Sequence, residues 1–112
     1  MRDLDILTRD WFASHDLATL RGVVVGLIDA SEAILPLQNP ETRTAEENAN
    51  IVNDSAEIAK RIHWLAKEVE QREPVDILAS LDRIAILAAV ARYANDGASS
   101  VVVRDWVNKH TA

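Results

Sequence analysis

Apolar and polar residues recur along most of the chain at about 100° per residue, the period of an α-helix. Between residues 17 and 35 the apolar positions and one serine fall on a single stripe. These are Leu17, Leu20, Val24, Leu27, Ile28, Ser31, Ile34 and Leu35. Pro36 and Pro40 follow, and proline cannot continue a helix. The pattern predicts a long amphipathic helix that packs through this stripe.

A second long helix has the clearest start in the chain. Thr44 and Glu47 are spaced as a capping box, in which each side chain bonds the other residue's free backbone amide. Steps of four and three residues then separate the positions of one seam. These are Ile51, Ser55, Ile58, Ile62, Leu65 and Val69. Such spacing is typical of a helix packed in a bundle.

A third long helix is predicted from Pro74 to the Asn95-Asp96-Gly97 stop, because proline suits the first position and glycine follows helix ends. Its predicted core-facing seam is Ile77, Leu81, Ile84, Ala88 and Ala91, with Ile86, Ala89 and Val90 behind. A helix that is apolar on both faces is expected to be buried on both.

Short helices are predicted at both ends of the chain. The first spans residues 3–13 and is followed by a break at 14–16, where Ser14 or Asp16 would cap the next helix. The last follows Ser99 or Ser100. The predicted fold is therefore all-α: one domain over residues 1–112, a compact bundle of three long helices plus short N- and C-terminal helices.

The composition of the chain excludes several kinds of functional site and partner. The chain has 112 residues, a net charge of −6 and no cysteine, which excludes disulfides and thiolate sites and fits a reducing cytoplasm. The longest apolar window, residues 22–28, is far shorter than the roughly 18 residues of a membrane span, and no signal peptide is expected. The acidity argues against nucleic acid as a partner. Histidine pairs and glycine-rich phosphate loops are absent, so no cofactor is expected.

Two surfaces are candidates for protein contact. Gly22 and Gly26 lie among small residues on the back of the first long helix, which indicates close approach of another backbone. The approaching backbone would come from a homodimer that packs through the second and fourth predicted helices, at residues 17–35 and 74–95. The chain's own end helices could also supply it.

Trp64 falls among charged residues on the polar face of its helix, as an interface anchor with a polar rim would. The neighbouring partner-interface candidates are Lys60, Arg61 and Glu68. The alternative is that a terminal helix or lysine stems cover the ring.

An acidic pattern resembles that of MazG-like nucleotide pyrophosphatases. Asp54 with Glu57 and Glu73 with Asp76 are similar to their E-x-x-E and E-x-x-D pairs, and the resemblance implies bound magnesium. On one continuous helix, however, Glu57 and Glu73 would lie about 24 Å apart. Solvated acids at helix ends are the competing interpretation.

The motif Arg-Asp-Trp-x-x-x-His occurs twice, at residues 9–15 and 104–110. The second copy is similar to the R-x4-6-H motif of HEPN ribonucleases. The resemblance implies His110 as general base and Arg104 as a phosphate-stabilising cation, with Asp105 as the polar residue after it. A regular helix points Arg104 and His110 about 120° apart, so the site would need a dimer. The alternative is a packing motif with each tryptophan inward.

The main expectation is a small acidic cytoplasmic protein without catalytic activity that acts by contact with another protein. Roles of this kind are those of an inhibitor, an immunity or antitoxin-like factor, or a regulatory adaptor. The alternatives are the ribonuclease, the magnesium-dependent hydrolase and a helix-turn-helix DNA-binding regulator, whose last helix would offer Arg104 and Lys109 as a weak basic face.

Overall fold

The computed structural model describes residues 3–95, and the part described is built from helices without strands. The α-helices are α1 (Arg9–Ala13), α2 (Leu17–Ile34), α3 (Ala45–Gln71) and α4 (Ile77–Asn95), with 3-10 turns at Asp3–Ile6 and Leu35–Leu37. The three long helices pack against one another. The all-α bundle expected from the sequence is confirmed.

The helix starts follow the caps in the sequence, with one correction. Asp16 accepts a hydrogen bond from the amide of Thr19 at 2.8 Å, and the Thr44–Glu47 capping box is complete. The third long helix begins at Ile77 because Asp76 accepts from the amide of Ala79 at 2.8 Å. The prediction that Pro74 is its first residue is wrong, because an aspartate two positions later provides the cap.

The predicted stripes of α2 and α3 form the core. The side chains buried there from these helices are Leu17, Leu20, Val24, Leu27 and Ser31 of α2 and Ser55, Ile58, Ala59, Ile62, Leu65, Ala66 and Val69 of α3. Helix α4 completes the core by contact with both. Serines on the stripes are small enough to allow close helix contact without a cavity.

Helix α4 faces the core with the side opposite to the predicted one. Its buried residues are Ile86, Val90, Tyr93 and Ala94. Most of the predicted seam points outward, with Ile77, Leu81 and Ile84 exposed to 76%, 54% and 61%, whereas Ala91 packs partly against the core. One determinant is the hydrogen bond of 2.7 Å between the buried hydroxyls of Tyr93 and Ser31, which requires Tyr93 to face α2.

The N-terminal segment also differs from its prediction. Residues 3–13 form a 3-10 turn and the short α1 rather than one helix, because Thr8 caps α1 by accepting from the amide of Trp11 at 3.2 Å. Phe12 is fully buried, whereas Trp11 is only partly buried beside it. The predicted C-terminal helix lies outside the described residues.

Arginine side chains hold the ends of the helices together. Arg61 donates from Nε to the carbonyl oxygen of Leu4 at 2.7 Å. Arg72 donates to the carbonyls of Phe12, Ala13 and His15, at the end of α1, at 2.6–3.1 Å. Arg83 donates to the carbonyls of Val69 and Glu70 near the end of α3. These carbonyls include ones that lack partners within their own helix, and the arginines satisfy them.

Candidate interaction surfaces

An apolar surface runs along the outside of α4. We define the α4 outer face as Val75, Ile77, Leu78, Leu81, Ile84 and Ala88, all of which are exposed. Val75 in the preceding loop is 92% exposed and Leu78 is 69% exposed. None of the six side chains carries a charge. Several large aliphatic side chains exposed side by side are typical of a contact surface, because isolated ones are common but contiguous patches are not.

A cleft of about 430 Å³ adjoins this face where α2 and α4 begin. Leu17, Pro74, Val75 and Leu78 supply apolar walls. Four carboxylates, Asp16, Glu73, Asp76 and Asp82, also line the cleft, together with the guanidinium of Arg72. The hydrogen bond from Thr19 holds the pKa of the Asp16 carboxyl below its ordinary value, so this group stays charged at neutral pH. The cleft therefore suits an apolar side chain with a basic neighbour.

Arg72 fixes one wall of the cleft. Besides its bonds to the carbonyls at the end of α1, it donates from Nε to Glu68 at 2.7 Å. A guanidinium held by several acceptors has little freedom to move. The cleft is thus formed in advance by the contacts of α1, α3 and the loop before α4.

Three cationic side chains surround the indole ring of Trp64, so the ring does not project freely into solvent. The guanidinium carbons of Arg9 and Arg61 lie 5.1 and 5.3 Å from its ring centroid, and the ammonium of Lys60 lies 5.9 Å away. These distances are within cation–π range. The indole is partly buried against the core, and Arg9 of α1 covers it. This placement favours the interpretation that a terminal helix and a lysine stem cover the ring.

The proposed rim of Trp64 is only partly at the surface. Arg61 is buried and bonded to the backbone of Leu4 and to Glu57 at 2.7 Å, so it belongs to the packing of the fold. Glu68 is half-buried and bonded to Arg72. Lys60 is exposed and pairs with Glu57 at 3.0 Å. The sequence-predicted rim therefore includes residues whose contacts are already made within the chain.

The small-residue face of α2 is open. A Cβ atom added at Gly22 or Gly26 would meet no heavy atom within 4 Å, and both glycines are exposed. Close approach of another backbone does not occur within the part of the chain that the structure describes. Beside this face, Arg21 of α2 and Asp82 of α4 form an ion pair at 3.1 Å.

The acidic pattern does not form a metal centre. Among residues 3–95, no group of three or more histidine or carboxylate residues is close enough to hold an ion. Glu57 lies within α3, whereas Glu73 and Asp76 lie in the loop before α4. Glu57 is instead hydrogen-bonded to Arg61 and Lys60, and the bond from Arg61 is the main cause that lowers the pKa of its carboxyl. Asp54 and Glu57 thus share a helix without meeting the other pair.

The first copy of the Arg-Asp-Trp repeat makes structural contacts. His15 stacks on Trp11 with ring centroids 3.7 Å apart, and its Nδ1 lies 2.7 Å from the Trp11 carbonyl oxygen. Because a carbonyl only accepts, this geometry requires the proton on Nδ1. Arg9 is directed instead over Trp64. The second copy, with Arg104, Asp105 and His110, lies outside the described residues.

Comparisons with models of protein families, with curated proteins and with solved structures found no match. Within the described range, no helix is both long and apolar enough to cross a membrane. The apolar pattern of this helix predicted two apolar sides and a homodimer contact, but Ile77, Leu81 and Ile84 were expected to face the core.

Proposed function

We propose that this chain is a small acidic helical protein that works in the cytoplasm by contact with other protein chains, as an inhibitor, antitoxin-like factor or regulatory adaptor. The single observation that carries the proposal is the α4 outer face. Its residues Ile77, Leu78, Leu81 and Ile84 are each more than half exposed on a regular helix. The absence of cysteine fits a reducing compartment.

The exposed leucine and isoleucine side chains of α4 are large enough to contribute to binding. Burial of one leucine or isoleucine side chain contributes about 1.5–3 kcal/mol. Several such side chains on one face give enough free energy to offset part of the entropy lost on association. The adjoining cleft offers a preformed pocket for an anchoring side chain, an arrangement typical of the residues that dominate binding.

Affinity capture from the native cells tests this proposal, with Leu81→Glu and Val52→Glu compared to the wild type. Val52 is a matched control because it is an aliphatic residue on α3 with a similar exposure, 46% against 54% for Leu81. We expect Leu81→Glu to lose the captured protein and Val52→Glu to retain it. Equal capture by all three chains would contradict a role for the α4 outer face.

A further inference from the structure

The α4 outer face has the spacing of a helix-pairing seam. Ile77, Leu81, Ile84 and Ala88 follow one another in steps of four, three and four residues. This is the spacing by which apolar positions of one helix meet those of another in a coiled coil. In α3 the same spacing is used within the fold, but in α4 the seam faces away from it. The exposed seam of α4 is therefore suited to pack against another helix that carries a matching seam.

Charge on α4 favours one orientation of that helix. Glu73 and Asp76 precede α4, and Asp82 lies in its second turn, where it pairs with Arg21. Arg92 lies exposed in the last turn of α4. A copy of α4 in antiparallel orientation places each Arg92 beside the acidic end of the other helix. It also sets opposite ends of the two helix dipoles side by side. A parallel pair would bring together ends of like charge.

We propose that the occupant of the α4 outer face is a second copy of this chain, packed antiparallel through α4 about a twofold axis. Antiparallel seams pair unlike positions, so Leu81 of one copy lies opposite Ile84 of the other. Ile77 then lies opposite Ala88. A twofold axis makes each contact occur twice, which lets one short seam supply a whole interface. This inference rests on the proposed function, because it names the chain that the outer face contacts.

Molar mass is the first test, measured by light scattering on the full chain. One copy has a mass of 12.4 kDa, and we expect the wild type to approach twice this value as concentration rises. Leu81→Glu should return the mass to that of one copy, and Val52→Glu should leave the dimer intact. A wild type that stays at 12.4 kDa up to millimolar concentration would overturn the inference.

Engineered thiols test the orientation, because the chain contains no cysteine. Antiparallel pairing predicts that a mixture of Ile77→Cys and Ala88→Cys chains forms the mixed disulfide on oxidation, several-fold faster than either chain alone. Ala56→Cys, at an exposed position of α3, is the control and should stay unlinked. Faster cross-linking of both Ile77→Cys and Ala88→Cys, each with itself, would show a parallel dimer and overturn the orientation.

Two further outcomes separate this inference from the proposed function. If the wild type is monomeric but Leu81→Glu still abolishes capture of a different protein, the outer face binds that protein and the second copy is not its occupant. If the wild type is monomeric and Leu81→Glu also unfolds the chain, Leu81 contributes to the packing of the single chain. That result would overturn both proposals.

Discussion

Helices α3 and α4 carry the same kind of apolar seam but use it in opposite ways. In α3 the positions spaced by three and four residues, such as Ile58, Ile62 and Leu65, are fully buried. In α4 the corresponding positions Ile77, Leu81 and Ile84 face outward, and the opposite side holds the fold. A seam thus predicts that a helix face meets another helix, but it does not say which helix.

The largest difference is expected between two isoleucines of α4 only two residues apart. Ile86 is fully buried and Ile84 is 61% exposed. We expect Ile86→Ala to lower the free energy of unfolding by about 2–5 kcal/mol, because it removes a core side chain and leaves a cavity. Ile84→Ala should cost far less in a dilute sample. Chemical denaturation at low protein concentration measures both, and equal losses would remove the distinction between the two faces.

A buried arginine distinguishes α3 from α4 in a second way. Arg61→Leu removes the hydrogen bonds to Glu57 and to the carbonyl of Leu4, so we expect a loss of about 1–3 kcal/mol in the free energy of unfolding. Lys60→Leu is the matched control, since an exposed ion pair contributes about 1 kcal/mol or less. If the two variants unfold at the same denaturant concentration, Arg61 does not hold the N-terminal turn.

The inward orientation of α4 can be tested at the bond between Tyr93 and Ser31. Tyr93→Phe should lower the free energy of unfolding by about 0.5–1.5 kcal/mol, because it removes a buried hydrogen bond of 2.7 Å. Once Tyr93→Phe has removed this bond, the additional change Ser31→Ala should lower the free energy of unfolding only a little further. Strictly additive losses in the double-mutant cycle would argue that the two hydroxyls do not interact.

Acid is expected to lower the stability of the chain through Glu57 of α3, by less than the substitutions described above. Hydrogen bonds, chiefly from Arg61, hold the pKa of the Glu57 carboxyl below its ordinary value. The stabilisation that Glu57 contributes is therefore present above the ordinary pKa and is lost as pH falls through the lower pKa of the folded state. The temperature at the midpoint of thermal unfolding should therefore decrease as the pH is lowered from about 5 to about 3. Glu57→Gln should reduce this fall, whereas Glu46→Gln, at an exposed position of the same helix, should not.

The sequence predicted the fold well where a local signal had one meaning. The Thr44–Glu47 capping box and the Asp16 cap define helix starts through bonds between near neighbours, and both occur. All three leucines of α2 lie on its predicted stripe, and all three are buried, so its orientation followed directly. For α4 the pattern had two solutions, and the choice depended on Tyr93 meeting Ser31, 62 residues away in the chain.

The candidate sites were harder to predict because they depend on contacts between distant segments. Trp64 is placed on the polar side of its helix by periodicity, but Arg9 of α1 covers it in the fold. Arg61 and Arg72 were not recognised as binders of backbone carbonyls, because no spacing rule marks an arginine that reaches another helix end. The cleft beside α4 likewise forms only when two helix starts lie side by side.

The most direct test of the central claim is the stability of Leu81→Glu at low protein concentration. If the α4 outer face is reserved for another chain, the free energy of unfolding should change by no more than about 0.5 kcal/mol, as for surface substitutions. Association with a partner chain should be lost in the same variant. A loss of several kcal/mol in the isolated chain would instead show that Leu81 belongs to the chain's own core.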